Sequence, residues 1–191
     1  MPQAIIGSPA TMTLIPLQLQ VILAALVIIA AITDIRSRTI PNWLVLGGMA
    51  VGFAVNPFIF GWPGLRIAGL GFALATGVYL FFYMVHAMGG GDLKLMAAIG
   101  SIVGAQNWFS IFILTSIIGG IVALFMLLAR GGFGRTFSNI GHILKEFAHL
   151  RAPHATREEV DIDSSKARSM PHGVAICLGT LVYLWASRYP A

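Results

Sequence analysis

The chain has 191 residues, 57% of them hydrophobic and only 10% charged. A soluble domain carries about 25% charged residues, so too few are present here to coat a water-facing surface, and the bilayer is the implied solvent. Lys and Arg number 12 against 7 Asp and Glu; in a membrane chain that excess marks cytoplasmic loops, and no basic stripe with interleaved aromatics argues for nucleic acid.

The stretches 1–33, 39–65, 67–91, 95–129 and 169–187 contain no Asp, Glu, Lys or Arg. A membrane-spanning helix needs about 20 apolar residues, which predicts helices at 14–33, 43–61, 65–88, 93–105, 108–129 and 172–188. The N-terminus has no basic region ahead of its apolar run, and that run is long enough to span, so a cleaved signal peptide is not expected. The stretch 95–129 is too long for one crossing at about 1.5 Å per residue. The polar break Gly104-Ala105-Gln106-Asn107 offers a turn that leaves a short fourth helix. Charge supports the break. With six spans, ten Lys and Arg side chains fall on one side, from Arg36 to Arg168, and only Arg66 and Arg188 on the other. A single helix over 95–129 would move seven of the ten outside, against the positive-inside rule.

Residues 130–171 form the one long polar segment. Phe137, Ile140, Leu144 and Phe147 recur there at helical spacing, flanked by Arg135, Lys145 and Glu146. That pattern predicts an amphipathic helix on the cytoplasmic face or one packed on the ends of the bundle. The segment from Arg157 to Lys166 reads as a mobile loop. The single cysteine, Cys177, lies in an apolar stretch and reads as a small buried residue; alone it can form no internal disulfide and no zinc cluster. The expectation is thus an all-α, polytopic membrane helix bundle, with about six transmembrane helices and a cytoplasmic amphipathic helix, forming one domain over 1–191.

Five of the seven acidic residues lie between Glu146 and Asp163; only Asp34 and Asp92 belong to the membrane core. A charge at mid-bilayer costs about 2.5–3.5 kcal/mol, less at the interface, and such residues are usually functional and paired. Asp34 ends the first predicted helix and Asp92 begins the fourth, so the topology brings both to the cytoplasmic interface. Each carboxylate on its own could instead cap a helix or pair with Arg36, Arg38 or Lys94. Two facing carboxyls can share a proton. The charged one takes a proton from water, the neutral one donates to a peptide carbonyl, and a carboxyl then protonates the leaving nitrogen. This chemistry needs neither metal nor cofactor, and none is expected. Gly89-Gly90-Gly91 ahead of Asp92 supplies a backbone able to take positive φ and to be approached closely by an extended substrate; a flexible turn between helices is the plainer reading. His86 has no adjacent Ser or Cys in a nucleophile motif and reads as a helix-end residue. Pro41 suits the first turn of a helix and Asn42 a cap or a backbone contact. Lys94 can pair with a carboxylate or reach lipid phosphate.

Two blocks carry a family resemblance. Asp34-Ile35-Arg36-Ser37-Arg38-Thr39-Ile40-Pro41-Asn42 is similar to the first-aspartate block of the type IV prepilin peptidases, and Gly89-Gly90-Gly91-Asp92-Leu93-Lys94-Leu95 to their GxGDxKL block. Pro171-His172-Gly173 more weakly resembles the Pro-x-Gly entry to their last helix. The resemblance implies a membrane aspartyl endopeptidase with Asp34 and Asp92 as its catalytic pair, supported by Gly89, Gly91, Lys94, Pro41 and Asn42. It implies a prepilin or pseudopilin substrate, whose basic leader is cut at the cytoplasmic face of the bacterial inner membrane. Long members also methylate the product and carry a zinc-binding cysteine insertion. This chain resembles the short, peptidase-only members of tight-adherence pilus systems, so methylation is not expected. Two other functions remain in view: an ion-coupled transporter, which would favour acids at mid-bilayer on broken helices and which no internal repeat supports, and a non-catalytic assembly subunit of a pilus or secretion machine. Oligomeric state is not legible.

Overall fold

The computed structural model describes residues 15–129 and 172–188, and every regular element among them is α-helical. The chain is an all-α, polytopic membrane helix bundle. Its helices are α1 (Leu17–Ser37), α2 (Asn42–Phe60), α3 (Trp62–Met84), α4 (Gly90–Ala129) and α5 (His172–Ala186). Two compact units are distinguished: Met1–Gly119 with Pro171–Ala191, and Gly120–Met170. Of the second, only residues 120–129, the end of α4, are described. The predicted amphipathic helix of 130–171 lies outside the described residues.

Local chemistry sets the helix ends. Pro16 precedes the first turn of α1, and Arg38 ends it in the left-handed conformation (φ 53°), its N–H donating to the Asp34 carbonyl at 2.9 Å. Pro41 stands just before α2, where a missing N–H costs nothing, and its carbonyl accepts the Leu44 N–H at 3.2 Å. Gly61, at φ 65°, turns the chain from α2 into α3, and Pro63 follows in the first turn of α3.

Large apolar side chains face outward on every helix, among them Phe58, Leu70, Phe81, Phe125 and Trp185. Water would not accept so much apolar surface; lipid does. Without a hydrophobic drive between helices, close packing through small residues holds a membrane bundle together. Here α3 and α4 touch backbone to backbone at Gly71 and Gly100, and α2 meets α4 where Gly52 lies on Ser101. The Asn56 amide on α2 donates to the Ser101 and Ile102 carbonyls of α4, both at 3.0 Å.

The expected six spans are corrected. Four helices, α1 to α4, are long and apolar enough to cross a membrane, while α5 is a shorter apolar helix of 15 residues. At about 1.5 Å per residue α5 reaches roughly 22 Å, short of a hydrocarbon core of about 30 Å. The helices expected at 93–105 and 108–129 are present as the two halves of α4, and a kink at Gly104 (φ 79°, ψ 170°) divides them. The chain folds back at this kink. Before it, Lys94, Ala98 and Ser101 follow α2 upward past Asn42, Gly48 and Gly52. After it, Asn107 accepts the Tyr183 hydroxyl at 2.8 Å, Thr115 lies on Gly179, and Gly119 lies beside His172 and Ala175. Residues 107–119 of α4 thus run along α5 from its end to its start.

Candidate active site

The fold-back brings four helix ends together. Asp34 sits in the last turn of α1 and is buried. Its Oδ2 accepts the Gly173 N–H at 2.8 Å, so the second residue of α5 holds a carboxylate 139 positions away in sequence. Asp92 is the third residue of α4, half-buried, and its carboxylate accepts the Gly89 N–H. The charges of Asp34 and of His172 both act on it, and the buried Tyr79 phenol of α3 feels the Asp92 carboxylate in turn. The two carboxylates singled out in the sequence are thus close enough for their charges to interact.

The supporting residues distribute as follows. Lys94 Nζ donates to Asn42 Oδ1 at 2.9 Å. It is thereby held by an amide of the first-aspartate block, where a carboxylate or a lipid phosphate had been expected, and it ties the two blocks together. Asn42 is the first residue of α2 and accepts from that lysine instead of serving the nearby backbone; Pro41 stands one place before it. Gly91 lies against Ile40, a Cβ there meeting its side chain at 3.5 Å, and Gly90 lies against the Tyr83 ring. Gly89 is exposed beside Asp92. The freedom foreseen for the triplet is not used as positive φ. Among the described residues the positive-φ glycines are Gly61 and Gly104, and α4 already begins at Gly90. His86 ends the turn after α3 at φ 57°.

Two site residues were missed. His172 opens α5 with its Nε2 buried and without a hydrogen-bond partner. The weak Pro-His-Gly block was its one trace in the sequence. Tyr79 belongs to an aromatic cluster, its ring 6.2 Å from Trp108 and 6.0 Å from Phe112, and an aromatic on an apolar helix carries no signal of a site. Among the described residues no group of three or more His, Cys, Asp or Glu gathers to hold a metal ion.

Comparison with known proteins bears on this arrangement directly. Residues 21–124, more than half of the chain and including both aspartates and the glycine triplet, match the model of the type IV leader peptidase family. The chain belongs to this family. A prepilin leader peptidase/N-methyltransferase of Xanthomonas campestris pv. campestris is 27% identical over 117 residues, 58% of this chain and 41% of that protein. One of Bacillus subtilis is 32% identical over 109 residues, 53% of this chain and 41% of that protein. Prepilin peptidase EppA of Methanocaldococcus jannaschii is 30% identical over 104 residues, 54% of this chain and 29% of that protein. The chain therefore spans about two fifths or less of the length of these relatives. No solved structure matches it.

Proposed function

We propose that this chain is a membrane aspartyl endopeptidase that removes the basic leader of a prepilin or pseudopilin, with residues 1–191 acting as one peptidase domain. The observation that carries the reading is that Asp34 and Asp92, two lone carboxylates from opposite ends of different helices, lie within range of each other's charge. Membership of the leader peptidase family and the activities of the similar prepilin peptidases support the substrate class.

In the proposed reaction a water lies between the two carboxyls. One carboxylate takes its proton as the oxygen attacks the scissile carbonyl, and the other, protonated, donates to the carbonyl oxygen. The tetrahedral intermediate collapses when a carboxyl protonates the leaving nitrogen. Gly173, through its N–H, orients Asp34; Gly89 orients Asp92 and leaves open backbone beside it for an extended peptide. Lys94 and Asn42 clamp the start of α2 to the start of α4. Lys and Arg gather at the end of α1 and just after it (Arg36, Arg38), in the first turns of α4 (Lys94) and in 130–171, which supports the cytoplasmic face of a bacterial inner membrane as the place of cleavage. A basic leader would meet the pair there while its apolar helix stays in lipid.

The test is cleavage of a co-expressed prepilin in membranes containing this chain. Wild-type protein should shorten the substrate, and Asp34→Asn and Asp92→Asn should each stop it, because each residue supplies a proton-transfer step the other cannot. Near-normal cleavage by either variant would refute the aspartate dyad, and no cleavage by the wild-type chain would favour a non-catalytic assembly role.

A further inference from the structure

Resting on the peptidase reading, we propose that His172 is a positioning residue for the reaction, acting on the proton balance of the aspartate pair from the start of α5. Three observations converge on it. The residue that follows it donates its N–H to Asp34 Oδ2 at 2.8 Å, so this end of α5 is fixed on one carboxyl. Its own charge acts on the other carboxyl, Asp92. Its Nε2 is buried and lacks a hydrogen-bond partner, while the Cε1 edge of the ring packs at Gly119 of α4, 3.8 Å from where a Cβ would stand.

A histidine that only fills space has no use for an unpartnered buried nitrogen; a phenylalanine or leucine would pack there without that penalty. Beside a pair of carboxyls the nitrogen has a use. During cleavage a proton leaves water for one carboxylate and later reaches the leaving nitrogen, so the charge of the pair changes twice. Histidine ordinarily gains or loses charge near neutral pH, and an imidazole at this place offsets those changes without touching the peptide.

Among the described residues, these ionisable groups lie near this end of α5. Asp34 comes from α1 and Asp92 from the start of α4, with the Tyr79 phenol of α3 facing Asp92. The second half of α4 packs here through Gly119 and carries no charged residue up to Ala129. Lys94 is turned to Asn42. Arg36 and Arg38 follow Asp34 on exposed positions at the end of α1, and among the described residues His172 is the basic group whose charge acts on Asp92.

The experiment is an infrared pH titration of the full chain in lipid bilayers, following the protonated-carboxyl band, with Asp34→Asn and Asp92→Asn used to assign it. The His172→Gln variant keeps a polar side chain of similar length but cannot become charged. It is expected to displace the midpoint of that band by about one pH unit, the lower end of what a neighbouring opposite charge does to a carboxyl. The pH dependence of kcat should move by the same amount, with KM within about two-fold. A midpoint within ~0.2 unit of wild type, in a variant whose melting shows it folded, would reduce His172 to packing even if activity fell. If the glutamine variant fails to fold, His172→Asn is read in the same way. Because the titration needs no substrate, a wild-type chain that cleaves nothing sinks the peptidase reading, whereas an unmoved midpoint with cleavage intact sinks this proposal alone.

Discussion

Gly173→Ala tests the geometry of the site without removing any functional group. A Cβ at this position would stand 2.8 Å from Asp34 Oδ2 and 3.1 Å from both its Cβ and Cγ, against the 3.4–4 Å of ordinary contact. The neighbours are the base of a buried side chain, not the tip of a flexible one, so either the carboxylate or the start of α5 must give way by about half an ångström. The same shift lengthens the 2.8 Å hydrogen bond from the Gly173 N–H. A hydrogen bond to a charged group is worth about 1.5–3 kcal/mol. A misplacement of about 1 Å can cost 10²-fold in rate. Cleavage by the alanine variant should therefore fall by about 10- to 100-fold, or roughly 1.4–2.7 kcal/mol of barrier. Alanine suits a helix better than glycine does, so the variant should still fold. The assay is initial-rate cleavage of a leader-bearing peptide in reconstituted bilayers, alongside a thermal melt. Gly77→Ala, where a Cβ meets nothing within 4 Å, is the control and should cleave as wild type does. A Gly173→Ala variant within two-fold of wild type would refute the claim that this N–H orients Asp34.

Other expectations follow from the same contacts. Lys94 and Asn42 form an exposed hydrogen bond, so a Lys94→Ala, Asn42→Ala double-mutant cycle on stability should give a coupling below about 1 kcal/mol. A larger value would mean the clamp bears more of the fold than its exposure suggests. Gly71→Ala should lower the melting temperature of the purified protein sharply, because its Cβ would run into the Gly100 carbonyl; overpacking of this kind costs about 1–3 kcal/mol or more. Wild-type melting would show that α3 and α4 can separate freely. For topology, Ala87→Cys, in the turn before α4, should resist a membrane-impermeant thiol reagent in intact cells, and Trp62→Cys, at the exposed start of α3, should react. The opposite labelling would place the aspartate pair on the outer face.

Much of this bundle could be read from composition because lipid demands uninterrupted apolar runs. The starts of α2 and α5 fell within one residue of expectation for that reason, with Pro41 and Pro171 marking them. The break at Gly104 was visible as a polar interruption, and the chain does reverse there. What the sequence could not show is that helical geometry resumes at the next residue, so that the kink dividing the two expected helices is confined to Gly104. The aspartates stood out because a carboxylate in an apolar setting is costly. His172 and Tyr79 did not, since an imidazole or a phenol in an apolar run looks like packing until the fold brings it within range of the Asp92 charge. The partner of Lys94 was hidden for a different reason: Asn42 is 52 residues away, and only the side-by-side path of α2 and α4 brings the two together.

The placement of the pair at helix ends also answers a physical difficulty. Asp34 lies in the last turn of α1, where unpaired carbonyls present negative charge. By itself that is a poor place for a buried carboxylate. The fold corrects it by bringing in the start of α5, whose Gly173 N–H bonds the carboxylate. Asp92 has the same kind of support from its own helix, lying in the first turn of α4 with the Gly89 N–H on its carboxylate. Each favourable helix end is worth about 0.3–1 kcal/mol at an exposed site and more where water is partly excluded. Two helix starts thus oppose one helix end around two acids. A single helix could hold one carboxylate in this way. Holding two within range of each other's charge takes helices arriving from different parts of the chain, which is why the site exists only once α4 has turned at Gly104 and residues 107–119 have come to lie along α5.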